Sequence, residues 1–219
     1  MTPCKDEKTR AIFHQALILF ADFGYKKTTV EDVAKSLGMS KGNLYFYVKN
    51  KQDLYEKTIS WALSRWQDHV REAVGKKTDP LEKFKAMTGS AMAYIDNHRV
   101  MQKLLARDPD IFTLDRERDR FPQINEGARQ IIRSILDQGI KKKRFAVSDP
   151  EAATQYLFSL YMMFLIQTYV LMDKKDFKKI FEAALELNLN GLVSHFWPHE
   201  PKEETMTDAT LQALENLRD

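Results

Sequence analysis

Lys41, Gly42, Asn43, Tyr45, Phe46, Tyr47 and Lys51 crowd into one short stretch, TTVEDVAKSLGMSKGNLYFYVKNK, which opens on Thr28 and Thr29. Lysine ammoniums, tyrosine and threonine hydroxyls and the N–H groups at helix starts are what hold nucleic-acid phosphates, and an asparagine amide pairs in two places with the edge of adenine. No acidic residue separates Lys41, Lys49 and Lys51, and a glycine at position 42 allows close approach of a partner. These residue types suit non-covalent recognition of duplex DNA. The same LYFYV segment taken alone also fits a short core helix, so the neighbouring charge decides between the two readings.

Presenting these groups requires two helices and a sharp turn. Val30, Val33, Ala34 and Leu37 recur at helical spacing, Thr28-Thr29 supplies a cap, and Gly38 suits the left-handed residue that ends a helix. Ser40 then caps a second helix, expected over Lys41 to Val48, with Leu44 and Val48 four apart and inward and the polar and aromatic residues turned outward. So short a connection forces a helix-turn-helix whose second helix carries the base-reading residues in its first turn.

This stretch resembles the TetR-type bacterial transcriptional repressors over about residues 8 to 57. The resemblance rests on Thr28-Thr29, Ala34, Gly38, the run Ser40 to Tyr47 and Asn50-Lys51. It implies that Thr29, Tyr45, Tyr47 and Lys51 bind phosphates and that Lys41, Gly42 and Asn43 lie against base edges. Thr28 and Phe46 are expected in the same DNA-binding surface from their place in the stretch. Two positions depart from the family pattern, Asn43 where Thr is commoner and Val48 where Phe is. The first bears on which operator is read.

The remainder reads as helices built to hold that head. Ile12, Phe13, Ala16, Leu17, Leu19, Phe20 and Phe23 form a broad apolar face ending at Gly24, which braces it. Asn50, with Asp53 three residues on, opens a helix expected to reach Gly75, roughly 36 Å long at about 1.5 Å per residue. Asp79-Pro80-Leu81-Glu82 and Asp149-Pro150 start two further helices, and helical patterns also run over Val100 to Arg107, Pro122 to Arg144 and Asp176 to about Phe196. Residues 110 to 121 give no clear period. The basic run Lys141 to Arg144 is read as cations at a helix C-terminus, which the helix dipole favours. The expected fold is all-α with about nine helices. Residues 1–50 form the DNA-binding domain, residues 51–199 a ligand-binding and dimerisation domain whose segment 51–75 links the two, and residues 200–219 a polar tail.

Composition agrees with this division. Of 34 Lys+Arg and 31 Asp+Glu, residues 1–57 hold 10 and 7, leaving 24 of each elsewhere, so the whole net charge of +3 sits beside the reading head. One cysteine, Cys4, makes no internal disulfide and fits a reducing cytoplasm. No apolar signal region or membrane span is expected. His195 and His199 are separated by Pro198, His14, His69 and His98 stand apart, and no phosphate loop, nucleophile elbow or paired Glu-x-x-His is found. No metal, cofactor or enzymatic activity is therefore expected.

Two faces remain to be filled. Tyr156, Leu160, Met163, Phe164, Phe177, Phe181 and Leu192 on the last two helices are expected to form a homodimer interface of four helices. Trp61, Trp66, Met87, Tyr94, Met101, Phe112, Phe158, Tyr161 and Met162 are expected to line a pocket for a mostly apolar inducer, between the linking helix and the helices beginning at Pro80, Pro122 and Pro150. Its few polar groups are expected to be His69, His98, Gln102 and Gln155. The function so read is that of a transcriptional regulator, a repressor released from a palindromic operator by that inducer. The rival is an architectural DNA-binding protein that needs none.

Overall fold

The computed structural model describes residues 5–113, 115–170 and 177–192, and the side chains of Phe177 and Phe181 lie outside the described residues, as do His195, His199 and the tail. Among the described residues there are nine α-helices and no strand: α1 (Lys5–Lys27), α2 (Val30–Ser36), α3 (Lys41–Tyr45), α4 (Lys51–Gly75), α5 (Pro80–Asn97), α6 (Arg99–Arg107), α7 (Pro122–Lys141), α8 (Pro150–Leu165) and α9 (Phe177–Leu192). The stretch between α6 and α7 that gave no period contains two 3-10 turns, Pro109–Ile111 and Arg116–Arg118, and α8 continues into a π turn, Ile166–Val170.

Helix starts follow the capping residues. Asp79 accepts hydrogen bonds from the N–H groups of Leu81 and Glu82, and Asp149 does the same for Glu151 and Ala152, each with a proline in the first turn. At α4 the expected pairing is shifted: Asn50 accepts from the Asp53 N–H, but the Asp53 carboxylate takes the N–H of Lys49, one residue earlier. Gly24 interrupts α1 with φ 82°, and Gly38 turns the chain after α2 with φ 65°, conformations that glycine adopts without steric cost. The phenylalanine expected at the inner edge of α1, Phe23, is instead exposed.

α4 is the axis. Its first turns pack Leu54, Tyr55 and Ile59 against α1, while Trp66 and Val70 belong to the body formed with α5, α7 and α8. The Trp66 indole donates to the Ala91 carbonyl of α5 at 3.0 Å, so its one polar group is satisfied inside the core. The basic run after α7 is structural: Lys142 donates to the Thr78 carbonyl at 2.8 Å and Arg144 pairs with Asp79 at 3.3 Å, fastening the end of α7 to the start of α5.

The chain turns back on α7 through Lys143, at φ 55°, and lays the buried Phe145 ring across Gly139. A Cβ at position 139 would stand 1.9 Å from that ring. Gly139→Ala is therefore expected to cost about 1–3 kcal/mol, because the buried ring would have to be displaced. An unaltered urea midpoint would contradict this packing.

Candidate nucleic-acid interface and ligand cavity

Thr29 caps α2 with a closed pair of bonds: its hydroxyl accepts from the Asp32 N–H at 3.1 Å, and its own N–H donates to the Asp32 carboxylate at 2.8 Å. The Thr29 hydroxyl and N–H hold the Asp32 carboxyl below the ordinary carboxylate range. Ser40 caps α3 by accepting from the Asn43 N–H at 3.2 Å. Leu44 and Val48 are buried beneath, and Lys41, Gly42, Asn43, Tyr45 and Phe46 are exposed above them, Phe46 at 84%. α3 itself is shorter than its sequence pattern, because Phe46 and Tyr47 turn back on the carbonyls of Asn43 and Leu44 with three-residue spacing.

Several residues stand differently from the expectation. Thr28 leaves the contact set: it is 2% exposed and its hydroxyl donates to the carbonyls of Leu19 and Gly24, so it ties α1 to α2. Tyr47 is only half exposed. Lys51 folds back, donating to the Lys26 carbonyl at 3.1 Å and lying 4.5 Å from the centre of the Tyr25 ring. Glu31, brought across from α2, pairs with Lys41 at 3.3 Å; both groups are well exposed, and such a pair contributes little, about 0–1 kcal/mol. A Cβ at Gly42 would meet nothing closer than the Ser40 hydroxyl at 4.0 Å, so the fold itself does not demand glycine there.

A cavity lies in the body between α4, α5, α7 and α8. Trp66, Met87, Phe112, Phe158, Tyr161 and Met162 line it, together with residues whose periodicity had marked them only as core, Ile124, Ala128, Ile131 and Ile132. Phe121 and Ile111 also reach it from the aperiodic segment, where no sequence signal distinguishes them. The free space is narrow, about 50 Å³.

Three expected wall residues lie elsewhere. Trp61 is five positions from Trp66, roughly 140° around the helix, and faces Phe13 and His14 of α1. Tyr94 sits farther along α5, stacked on His98 at 3.9 Å, and Met101 is buried where α6 meets α1. With Arg10, Arg65 and Arg99 these three border an open outer cleft. The polar groups of the cavity are Gln67, Thr88, Asn125 and Tyr161. His69 faces Tyr94, His98 stacks on it, Gln102 donates to Ile95 and Asp96 carbonyls, and Gln155 borders a surface groove. Burial holds the Tyr161 phenol well above its usual pKa, so it stays protonated.

Cavity and reading head are joined through the end of α6. Arg107 donates to the carbonyls of Ala21 and Asp22 of α1 at 2.7 and 2.6 Å, and Lys103 pairs with Asp22. The next residue, Asp108, accepts from the Tyr55 hydroxyl of α4 at 2.5 Å and from Arg120 at 2.7 Å. Burial and then the Asp108 carboxylate push the Tyr55 phenol far up, keeping it a donor. Ile111 and Phe112 follow directly and form part of the cavity wall.

The sequence profile described as "Bacterial regulatory proteins, tetR family" matches residues 12–58, the reading head and the first turns of α4. The HTH-type transcriptional repressor KstR2 of Mycolicibacterium smegmatis is 31% identical over 152 residues, covering 66% of this chain and 71% of the relative. The chain belongs to the TetR family of bacterial transcriptional regulators. A second relative, the fatty acid metabolism regulator protein of Bacillus subtilis, is 25% identical over 193 residues, 86% of this chain and 97% of that protein. Among solved structures, FadR from Bacillus subtilis in complex with stearoyl-CoA shares the fold with a TM-score of 0.68 at 22% identity, over 84% of this chain and 98% of that one. Membership of the TetR family makes the protein a DNA-binding regulator and not an enzyme. Among the described residues no three metal-ligating side chains gather, and no helix is long and apolar enough to cross a membrane.

Proposed function

We propose that the protein is a cytoplasmic, homodimeric repressor that binds a roughly palindromic operator and leaves it when a mostly apolar small molecule enters the cavity between α4, α5, α7 and α8. The observation that carries this reading is the continuity from cavity wall to reading head: Ile111 and Phe112, then Asp108 and Arg107, then the carbonyls that end the long run of α1. Relatives support both halves, one being called a transcriptional repressor and one a regulator solved with stearoyl-CoA. The cavity is too narrow as it stands for such a chain, against roughly 300–1,000 Å³ for ordinary ligand sites. Its adaptable walls, Met87, Met162, Phe112 and Phe121, must part to admit one. A ligand that binds only the parted form shifts the population toward it by its differential affinity.

In this reading Lys41, Gly42 and Asn43 approach base edges, and Tyr45, Tyr47, Lys51 and the start of α2 hold phosphates. Asn43→Ala is expected to relax preference at one base pair per half-site, worth about 1–3 kcal/mol of discrimination. Binding measured across a library of operator variants checks it; a uniform loss would make Asn43 a positioning residue. The reading as a whole is tested by a thermal-shift and DNA-release screen of fatty acids, hydrophobic cations and sugar phosphates. Release by fatty acids is expected. Stabilisation by sugar phosphates alone, with release of DNA, would overturn the apolar inducer.

A further inference from the structure

The otherwise apolar cavity has one polar end, where α4 faces α7. Gln67 is only 9% exposed, and its side-chain N–H donates to the Ile124 carbonyl of α7, which leaves its amide oxygen turned toward Gly127. The Asn125 side chain, also on the cavity wall, has no hydrogen-bond partner among the described residues. One turn beyond Gln67, at the solvent-exposed rim outside the cavity wall, Arg71 pairs with Asp68 through one guanidinium nitrogen and extends the other over α7. Gly127 makes room for both. The point where its Cβ would stand is 2.7 Å from the Gln67 oxygen and 2.9 Å from Arg71 Nη2.

Deeper in, the polar capacity is largely used or held in one form. The Thr88 hydroxyl donates to carbonyls of its own helix, and the Tyr161 ring, on α8, lies 6.2 Å from that of Trp66. Gln67 and Asn125 therefore leave acceptor and donor capacity open to a ligand at the α4–α7 end.

We propose that the inducer is an amphiphile bound in one orientation, its apolar tail among Phe112, Phe158 and Met162 and a carbonyl-bearing head between α4 and α7, hydrogen-bonded by Arg71, Asn125 and Gln67. The inference rests on the reading above that the cavity takes an apolar ligand, and adds the class and direction of its head. A carboxylate and an ester carbonyl share the needed acceptor oxygen. Arg71 separates them, because a charge-assisted bond to a carboxylate is roughly twice as strong as a neutral one.

The test is a titration of the full-length protein with lauric acid, methyl laurate and dodecanol, read by tryptophan fluorescence, Trp66 being in the wall. The acid, or the acid and the ester together, should bind about tenfold more tightly than the alcohol, and Arg71→Ala or Asn125→Leu should remove most of that preference while tail binding persists. Preference for the acid alone identifies a carboxylate; equal preference for the ester identifies a neutral carbonyl. Gly127→Ala would displace the side-chain ends of Gln67 and Arg71 from α7, and is expected to lose the same preference in a protein that far-ultraviolet circular dichroism shows to be folded. Equal binding of all three compounds, or a Gly127→Ala protein as selective as the wild type, overturns the oriented head and leaves the apolar cavity standing. Binding of none of the three overturns both.

Discussion

A protein carrying both Met163→Glu and Leu187→Glu is expected to run as a folded monomer and to lose roughly 100-fold to 10,000-fold in operator affinity, the gain that linking two binding modules normally supplies. Met163 is 41% exposed on α8 and Leu187 73% exposed on α9, and Tyr156 and Ile180 are exposed on the same two helices. Large apolar side chains repeated on neighbouring helices are what a second copy would cover in a four-helix interface related by a two-fold axis. Exposed substitutions change the stability of a monomer little, usually within about 0.5 kcal/mol, so a change in assembly is separable from unfolding. Two expected interface residues drop out. Phe164 is buried against the α5 and α9 side of its own subunit, and Leu192 is buried with its carbonyl bonded to the Ala146 N–H. Leu160 is half exposed and stays in the set. Sedimentation velocity beside far-ultraviolet circular dichroism checks the outcome; a double variant that remains dimeric would place the interface elsewhere.

What could be read from the sequence was what local chemistry decides. Asp79-Pro80 and Asp149-Pro150 set helix starts because a carboxylate cap and a fixed proline φ act within one turn, and Gly38 marked the turn because few other residues take its φ. The reading head was recoverable for the same reason, its buried Leu44 and Val48 lying four apart beneath outward polar groups. Direction around a long helix was harder. Trp61 and Trp66 belong to one pattern, yet only the tertiary partners of α4 decide that one faces α1 and the other the cavity. Long-range pairings left no trace at all: the ring of Phe145 on Gly139, Glu31 beside Lys41, and Gly127 making room for Gln67 and Arg71 depend on where distant segments meet. The aperiodic segment 110–121 was silent because its positions are fixed by Arg120, Asp108 and Phe121 rather than by a repeat.

Arg107→Met is expected to leave ligand binding intact and to bring operator affinities with and without ligand close together. Methionine keeps most of the aliphatic stem but removes both donors to Ala21 and Asp22, carbonyls at the end of the long run of α1, where a helix is negative and prefers a cation. Arg107 is itself exposed, so solvent reduces each bond to about 0.5–1.5 kcal/mol; the two together are still comparable with a typical coupling energy of about 1–3 kcal/mol. With those bonds gone, a displacement of Phe112 and Ile111 by ligand still moves the end of α6, but α6 no longer carries α1 with it. Lys103→Ala is the control. Lys103 also bridges α6 to α1, through Asp22 at 2.5 Å, but both side chains are more than a third exposed, so solvent screens the pair and about 0–1 kcal/mol is expected. Operator titrations with and without a saturating ligand give the ratio directly. A ratio that falls in Arg107→Met and holds in Lys103→Ala assigns the coupling to the α6–α1 junction; an unchanged ratio in Arg107→Met would route it through α4 and Tyr55 alone.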